Sequence, residues 1–211
     1  MRFLLSLFLL VFTTTFAQKH PSIHYTTSEG LPNNAVRSLF MDRDNILWVG
    51  TENGVSRFVD GQFYSLSEED GLGHNSCWDI SQDADGNMWF ASYGGGISKF
   101  DGKKFTLFSS KDGLPADKVR KVFPFKNNIY VGTEQGVSII DIRSNKISTP
   151  KVTKTNEDFI CIDFFVYKNE VYFVSIFDGV FKIDESSTIP KVVPIYLGKN
   201  FYAAQLHKDD I

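Results

Sequence analysis

Trp-Val-Gly-Thr-Glu-Asn-Gly-Val-Ser-Arg-Phe at 48–58 returns as Trp-Phe-Ala-Ser-Tyr-Gly-Gly-Gly-Ile-Ser-Lys-Phe at 89–100 and as Tyr-Val-Gly-Thr-Glu-Gln-Gly-Val-Ser-Ile-Ile at 130–140. Tyr172–Ile183 is a fourth, degraded copy. Working outward, Gly-Leu recurs at 30–31, 71–72 and 113–114, spaced 41 and 42 residues apart. Trp48 and Trp89 stand eighteen residues after the first two, Tyr130 seventeen after the third, and Tyr172 continues the column. Self-similarity at a fixed period of this size marks a repeat architecture.

Each unit divides into four short strands. In the first unit they are expected at about Ala35–Met41, Ile46–Thr51, Val55–Phe58 and Phe63–Leu66. The joints carry hairpin residues: Asn53-Gly54, Gln135-Gly136 and Asp178-Gly179 between second and third strands, Asp60-Gly61 and Asp101-Gly102 after the third. Helical periodicity is absent. Four antiparallel strands per repeat of about 40–45 residues describe a propeller blade. The expected fold is therefore an all-β, incomplete β-propeller. Its blades fall at about 30–70, 71–112, 113–158 and 159–200, with the start of a fifth at 201–211. Ile23–Thr27 resembles the end of a blade, as if it were a fourth strand without its first three. Two open edges invite pairing with other chains, and a longer parent product is expected.

Residues 1–17 have the form of a signal peptide: Arg2, the apolar run Phe3–Phe12, and a small-residue stretch ending at Ala17. The run is shorter than the roughly 20 residues a membrane span needs, so export is expected, with any anchor beyond Ile211. A chain that is 42% hydrophobic and 15% aromatic can bury a core. A net charge of −3 gives no footprint for nucleic acid.

These residues resemble the two-component regulator propeller repeat. Gly30-Leu31-Pro32, Val36, Asp42, Leu47-Trp48-Val49-Gly50-Thr51, Gly54 and Arg57-Phe58 follow its pattern. The second unit has Gly73 for Pro and Ala91-Ser92 for Gly-Thr, and the third has Tyr130 for Trp. The resemblance implies the periplasmic sensor half of a membrane-spanning histidine kinase, often one responding to glycans. Downstream transmembrane and kinase segments would be its partners, and a homodimer is a further expectation. Two other roles stay open: an exported carbohydrate-active propeller enzyme and a non-catalytic structural propeller of an exported assembly.

Candidate chemistry is sparse. Asp83-Ala-Asp85-Gly86-Asn87 begins like a calcium loop, but Gly94 stands where its closing Glu belongs, so Asp42/Asp44 and Asp83/Asp85 are read as turn residues. Cys77 and Cys161 fall where other units have Val36 and Val119, which favours two buried thiols over a disulfide. Gly94-Gly95-Gly96 is a loosened hairpin, not a phosphate loop. Trp78-Asp79 spells the dipeptide of another propeller family and is read as coincidence, and the Trp48–Tyr172 column as packing. No His has a metal-like partner, strand acids are few (Asp79, Asp163), and neither cofactor nor catalytic residue is expected. In a propeller, blade-to-blade loops and second-to-third-strand turns share one face near the axis. There Asn33, Asn34, Glu52, His74, Asn75, Tyr93, Asp117 and Glu134 are the candidate ligand-binding residues, accompanied by Lys118, Gln135 and Phe177. The mix suits a small polar ligand or glycan.

Overall fold

The structure, a computed structural model, describes residues 22–152 and 159–198. The expected signal peptide and the start of a fifth blade lie outside the described residues.

Four antiparallel sheets follow one another along the chain. The first is β1 (Val36–Met41), β2 (Leu47–Thr51), β3 (Gly54–Val59) and β4 (Gln62–Leu66). The second is β5 (Cys77–Gln82), β6 (Met88–Ser92), β7 (Gly96–Phe100) and β8 (Phe105–Phe108). The third is β9 (Val119–Phe125), β10 (Asn128–Thr133), β11 (Gly136–Asp141) and β12 (Ile147–Ser148). After β13 (Lys151–Val152), the fourth is β14 (Cys161–Tyr167), β15 (Glu170–Ser175), β16 (Gly179–Asp184) and β17 (Lys191–Leu197). The fourth sheet gains an unexpected fifth strand, because β13 pairs parallel with β17 at Lys151–Lys191 and Val152–Val192. The first strands β1, β5, β9 and β14 lie side by side in that order, so the sheets radiate from one axis as propeller blades.

The Gly-Leu signature marks the blade junctions. Thr27–Glu29, Glu68–Asp70 and Ser110–Asp112 are single 3-10 turns, each with a capping box and each ended by Gly30, Gly71 or Gly113 in the left-handed region. Residues expected to form a strand at 23–27 instead lead into the first of these turns. Their likeness to Phe63–Ser67 lies in the cap, Thr26 matching Ser67 and Ser109, and Tyr25 rests against Phe58 and Phe63.

The second-to-third-strand turn at Asn53-Gly54 uses positive φ at a single residue. Only Gly54 has it, at 112°. Thr51 and Gly54 are paired across a two-residue loop, the Thr51 hydroxyl donates to the Gly54 carbonyl at 2.9 Å, and it accepts the Asn53 amide at 3.1 Å. Thr133 and Gly136 repeat the arrangement, which explains Gly-Thr-x-x-Gly as a unit. Blade 2 inserts one residue here. A side chain on Gly95 would lie 2.4 Å from the Gly73 carbonyl oxygen, so the triple glycine and the loss of the proline at 73 accommodate each other.

The core sits between blades. Trp48 and Val55 of blade 1 join Leu72, Cys77, Ile80, Met88 and Phe90 of blade 2. Trp89 and Ile97 join Leu114, Val119, Val122 and Ile129 of blade 3. Tyr130, Val137 and Ile139 join Cys161, Phe164 and Phe173 of blade 4. The column is packing at Trp48, Trp89 and Tyr130, which are buried, whereas Tyr172 is half-exposed and stacks on Phe165. The column is also polar glue: Trp48 and Trp89 donate their indole N–H to Asp42 and Asp83, each at 2.8 Å, while the same carboxylates accept amides of their own turns. Cys77 and Cys161 are separate, buried thiols. Leu39 is 66% exposed where the equivalent Ile80 is 4% exposed. Among the described residues no blade covers that face of blade 1, and the ring is not closed.

Candidate functional site

Every innermost strand slips register after its first residue: between Val36 and Ser38, Cys77 and Asp79, and Cys161 and Asp163, and opposite Gly132/Thr133 in β9. A bulge leaves one residue unpaired and re-aims its side chain. The re-aimed residues are Arg37, Trp78, Arg120 and Ile162. Three of them converge. The guanidinium carbons of Arg37 and Arg120 lie 5.2 and 5.0 Å from the Trp78 ring centre. Trp78 stacks on Tyr93 at 4.3 Å and 13°, and Lys118 reaches the Tyr93 ring at 5.1 Å.

Two carboxylates from the second-to-third-strand turns brace this cluster. Glu52 pairs with Arg37 of its own blade and accepts the Ser76 hydroxyl of the next at 2.5 Å. Ser76 in turn accepts the Trp78 indole N–H at 3.1 Å. Glu134 accepts Arg120 at 2.7 Å and the Tyr93 hydroxyl at 2.5 Å, with Lys118 at 3.7 Å. The hydrogen bond from Ser76 holds the Glu52 carboxyl below its ordinary range; burial opposes this and Arg37 reinforces it. Burial works against ionisation of Glu134, but Tyr93, Arg120 and Lys118 together outweigh it, and its pKa is also lowered. Groups depressed in the fold stabilise it above the unfolded carboxylate value of about 4.3 and lose that contribution as pH falls through the folded value. The double variant Glu52→Gln, Glu134→Gln is therefore expected to show a flatter fall in melting temperature from about pH 5 to pH 3 than the parent. Parallel thermal melts check this, and identical slopes would contradict it.

Behind the cluster, along the inner strands, Ser38, Asp79, Lys121 and Asp163 occupy equivalent places. Lys121 lies 3.4 Å from Asp79 and 3.7 Å from Asp163. Asp79 also accepts the Val122 amide at 3.0 Å. Its burial raises its pKa despite Lys121 and that amide. Both strand acids thus share one ammonium. Among the described residues no group of three or more His, Cys, Asp or Glu side chains could hold a metal.

Of the sequence-selected residues, Glu52, Tyr93 and Glu134 meet in this cluster. His74 adjoins it, with Nδ1 accepting the Ser76 amide at 3.1 Å. The other four serve the junctions. Asn34, Asn75 and Asp117 accept the first amides of the 3-10 turns, from Thr27, Glu68 and Ser110, at 2.9, 2.9 and 2.6 Å. Asn33 accepts the Ala35 amide at 2.7 Å. Sequence selection missed Arg37, Ser76, Trp78 and Arg120. A signal was present: Arg37, Trp78 and Arg120 are spaced 41 and 42 residues apart, like the glycines.

The two-component regulator propeller family matches residues 30–53 and 71–94, the first two repeats. No curated protein matches the chain. Among solved structures, the extracellular domain of a protein described as a hybrid two-component system from B. thetaiotaomicron is similar at a TM-score of 0.65 and 18% identity. The match covers 82% of this chain and 26% of that one. An extracellular domain described as part of a one-component system from the same organism gives 0.61 and 16%, over 81% and 26% of the two chains. Virginiamycin B lyase from Staphylococcus aureus gives 0.58 and 16%, over 78% and 58%. The repeat resemblance and the propeller fold are thereby shown. The chain spans about a quarter of the length of the first two neighbours. The fold is shared with extracellular domains of two-component systems and with an enzyme.

Proposed function

We propose that this chain is an exported ligand-sensing propeller region, acting as input to a two-component sensor histidine kinase, and that its ligand binds at the axial face around Trp78. The observation that carries this proposal is the bulge column. Three inner strands each turn one large side chain to the same place, and turns of two blades brace them with buried-edge carboxylates. A ligand there touches three blades at once. It can bias their relative placement if it binds one arrangement better than another. The two repeat matches and the extracellular neighbours support the sensing context. The strand acids do not support hydrolysis, because Asp79 and Asp163 are engaged by Lys121 instead of flanking an open cleft.

The test is a thermal-shift screen of soluble oligosaccharides against the chain. A ligand at a hundredfold its dissociation constant adds about 2.7 kcal/mol of stability. At least one oligosaccharide is expected to raise the melting temperature by several degrees, with the shift lost in Trp78→Ala. A Trp78→Ala protein that responds like the parent would contradict the site, and a panel with no response at millimolar concentration would contradict the sensing role.

A further inference from the structure

We infer that the uncovered face of blade 1 takes a further blade borne on the same polypeptide, one whose second strand reads Trp-x-Ala. Val36, Leu39, Leu47 and Val49 line an apolar cavity of about 390 Å³ on that face. Val36 and Leu39 are 43% and 66% exposed. Cys77, Ile80, Met88 and Phe90 hold the same places in blade 2, each 41 residues later, and all four are buried under blade 1. Blades 3 and 4 repeat this against blades 2 and 3. Each such face is covered by the preceding blade of its own chain. Blade 1 carries the same face with no cover among the described residues, and an apolar patch of this kind marks an interaction site.

The three joints show which cover fits. In one contact the column aromatic of a blade meets the fourth residue of the next inner strand: Trp48 with Ile80, Trp89 with Val122, Tyr130 with Phe164. The smaller ring goes with the larger neighbour, as close packing requires. Leu39 is aliphatic, so it requires Trp. In the other contact Gly50 and Gly132 face Cys77 and Cys161, whose sulfurs lie 3.1 and 2.6 Å from where a glycine side chain would begin. Each sulfur takes the space of the missing methyl. Val119 has no sulfur to offer, and Ala91 opposite it supplies the methyl itself. Val36 repeats the valine case, so it requires Ala. Blade 2 presents this pair in Trp89-Phe90-Ala91, but blade 3 already covers it. In blade 4 the two columns hold Tyr172 and Val174, a ring too small for Leu39 beside a residue too large for Val36. A second copy of the chain therefore does not supply the cover.

The test inserts a copy of blade 2, residues 71–112, between Glu29 and Gly30 of the full chain, which leaves a glycine after each junction turn. The melting temperature is expected to rise by about 5 °C. Hydroxyl-radical oxidation of the tryptic peptide 38–43, which carries Leu39 and the exposed Met41, is expected to slow several-fold. Trp89→Tyr or Ala91→Gly within the copy is expected to remove most of the gain, and Leu39→Phe or Val36→Cys, respectively, to restore it. The resident joint of blades 2 and 3 gives a second measurement without any insertion: Val119→Cys is expected to recover part of the melting temperature lost in Ala91→Gly. An insertion that fails to raise the melting temperature, or leaves the peptide as reactive as before, would overturn the docking of a blade. Altered copies that stabilise as well as the original, or no recovery at the resident joint, would overturn the Trp-x-Ala selection. Sedimentation of the unaltered chain as a dimer, with the peptide protected as concentration rises, would overturn the choice of occupant in favour of a second copy.

Discussion

Trp89→Ala is expected to lower the unfolding free energy by about 3–5 kcal/mol. The indole is fully buried between blades 2 and 3, packed in one cluster with Phe108, Leu114, Val119 and Val122. Strands hydrogen-bonded on both sides hold the space open, so the cavity has little freedom to collapse. Part of the loss is polar. Asp83 keeps its bonds to the amides of Asp85 and Asn87 but loses the indole donor at 2.8 Å. Trp89→Phe separates the two contributions. It keeps most of the volume, removes the N–H, and is expected to cost about 1–3 kcal/mol. Trp78→Ala makes the contrast, since its ring is half-buried and stacked rather than enclosed; about 0.5–1.5 kcal/mol is expected. Urea unfolding of the three variants checks the order, and a Trp78→Ala loss as large as that of Trp89→Ala would contradict the assignment of one to the core and the other to the mouth.

Gly132→Ala is expected to cost about 1–3 kcal/mol through overpacking at the joint of blades 3 and 4. A methyl group there would lie 2.6 Å from Cys161 Sγ and 3.2 Å from the Phe164 ring. Gly132 has no left-handed φ, so the cost is steric. The same contact recurs two interfaces earlier, where a side chain on Gly50 would meet the Cys77 carbonyl at 3.0 Å and its sulfur at 3.1 Å. Blade 2 uses Ala91 opposite Val119 in the corresponding places, both fully buried. Gly with Cys and Ala with Val are thus two ways of fitting one blade to the next. Cys161→Ala is therefore expected to rescue Gly132→Ala in part, with the double variant losing less than the sum of the singles by at least about 0.5 kcal/mol. Strict additivity in the same urea series would contradict direct contact across the joint.

The pairing also explains what was legible in the sequence. Gly50, Gly132, Cys77 and Cys161 each sit in a repeating column, so the blade plan and the burial of the thiols could be read from period alone. Asp42 and Asp83 were legible as turn residues, because the Asp-x-Asp-x pattern states the amide contacts. Their second task, holding Trp48 and Trp89, depends on the two ends of a hairpin meeting, which spacing implies only after the strands are paired. The junction turns hid in the opposite way. Asn34, Asn75 and Asp117 looked like free loop amides and acids, yet each accepts an amide from seven residues earlier. The bulge column was the least legible element. A one-residue slip reverses which face a side chain takes, and Arg37, Trp78 and Arg120 share a position without sharing a chemistry. Trp78, set aside with Asp79 as a coincidental dipeptide, lies at the centre of the site.

The most direct test of the central claim is hydrogen exchange of the chain with and without an oligosaccharide that raises its melting temperature. Slowed exchange confined to the segments around Arg37, Ser76–Asp79, Tyr93, Lys118–Lys121 and Glu134 is the predicted result, because these bring the bulged side chains and their braces to one mouth. Slowed exchange confined instead to the turns around Arg43, Ala84 and Lys126, where blades 1 to 3 border a cavity of about 400 Å³, would contradict it.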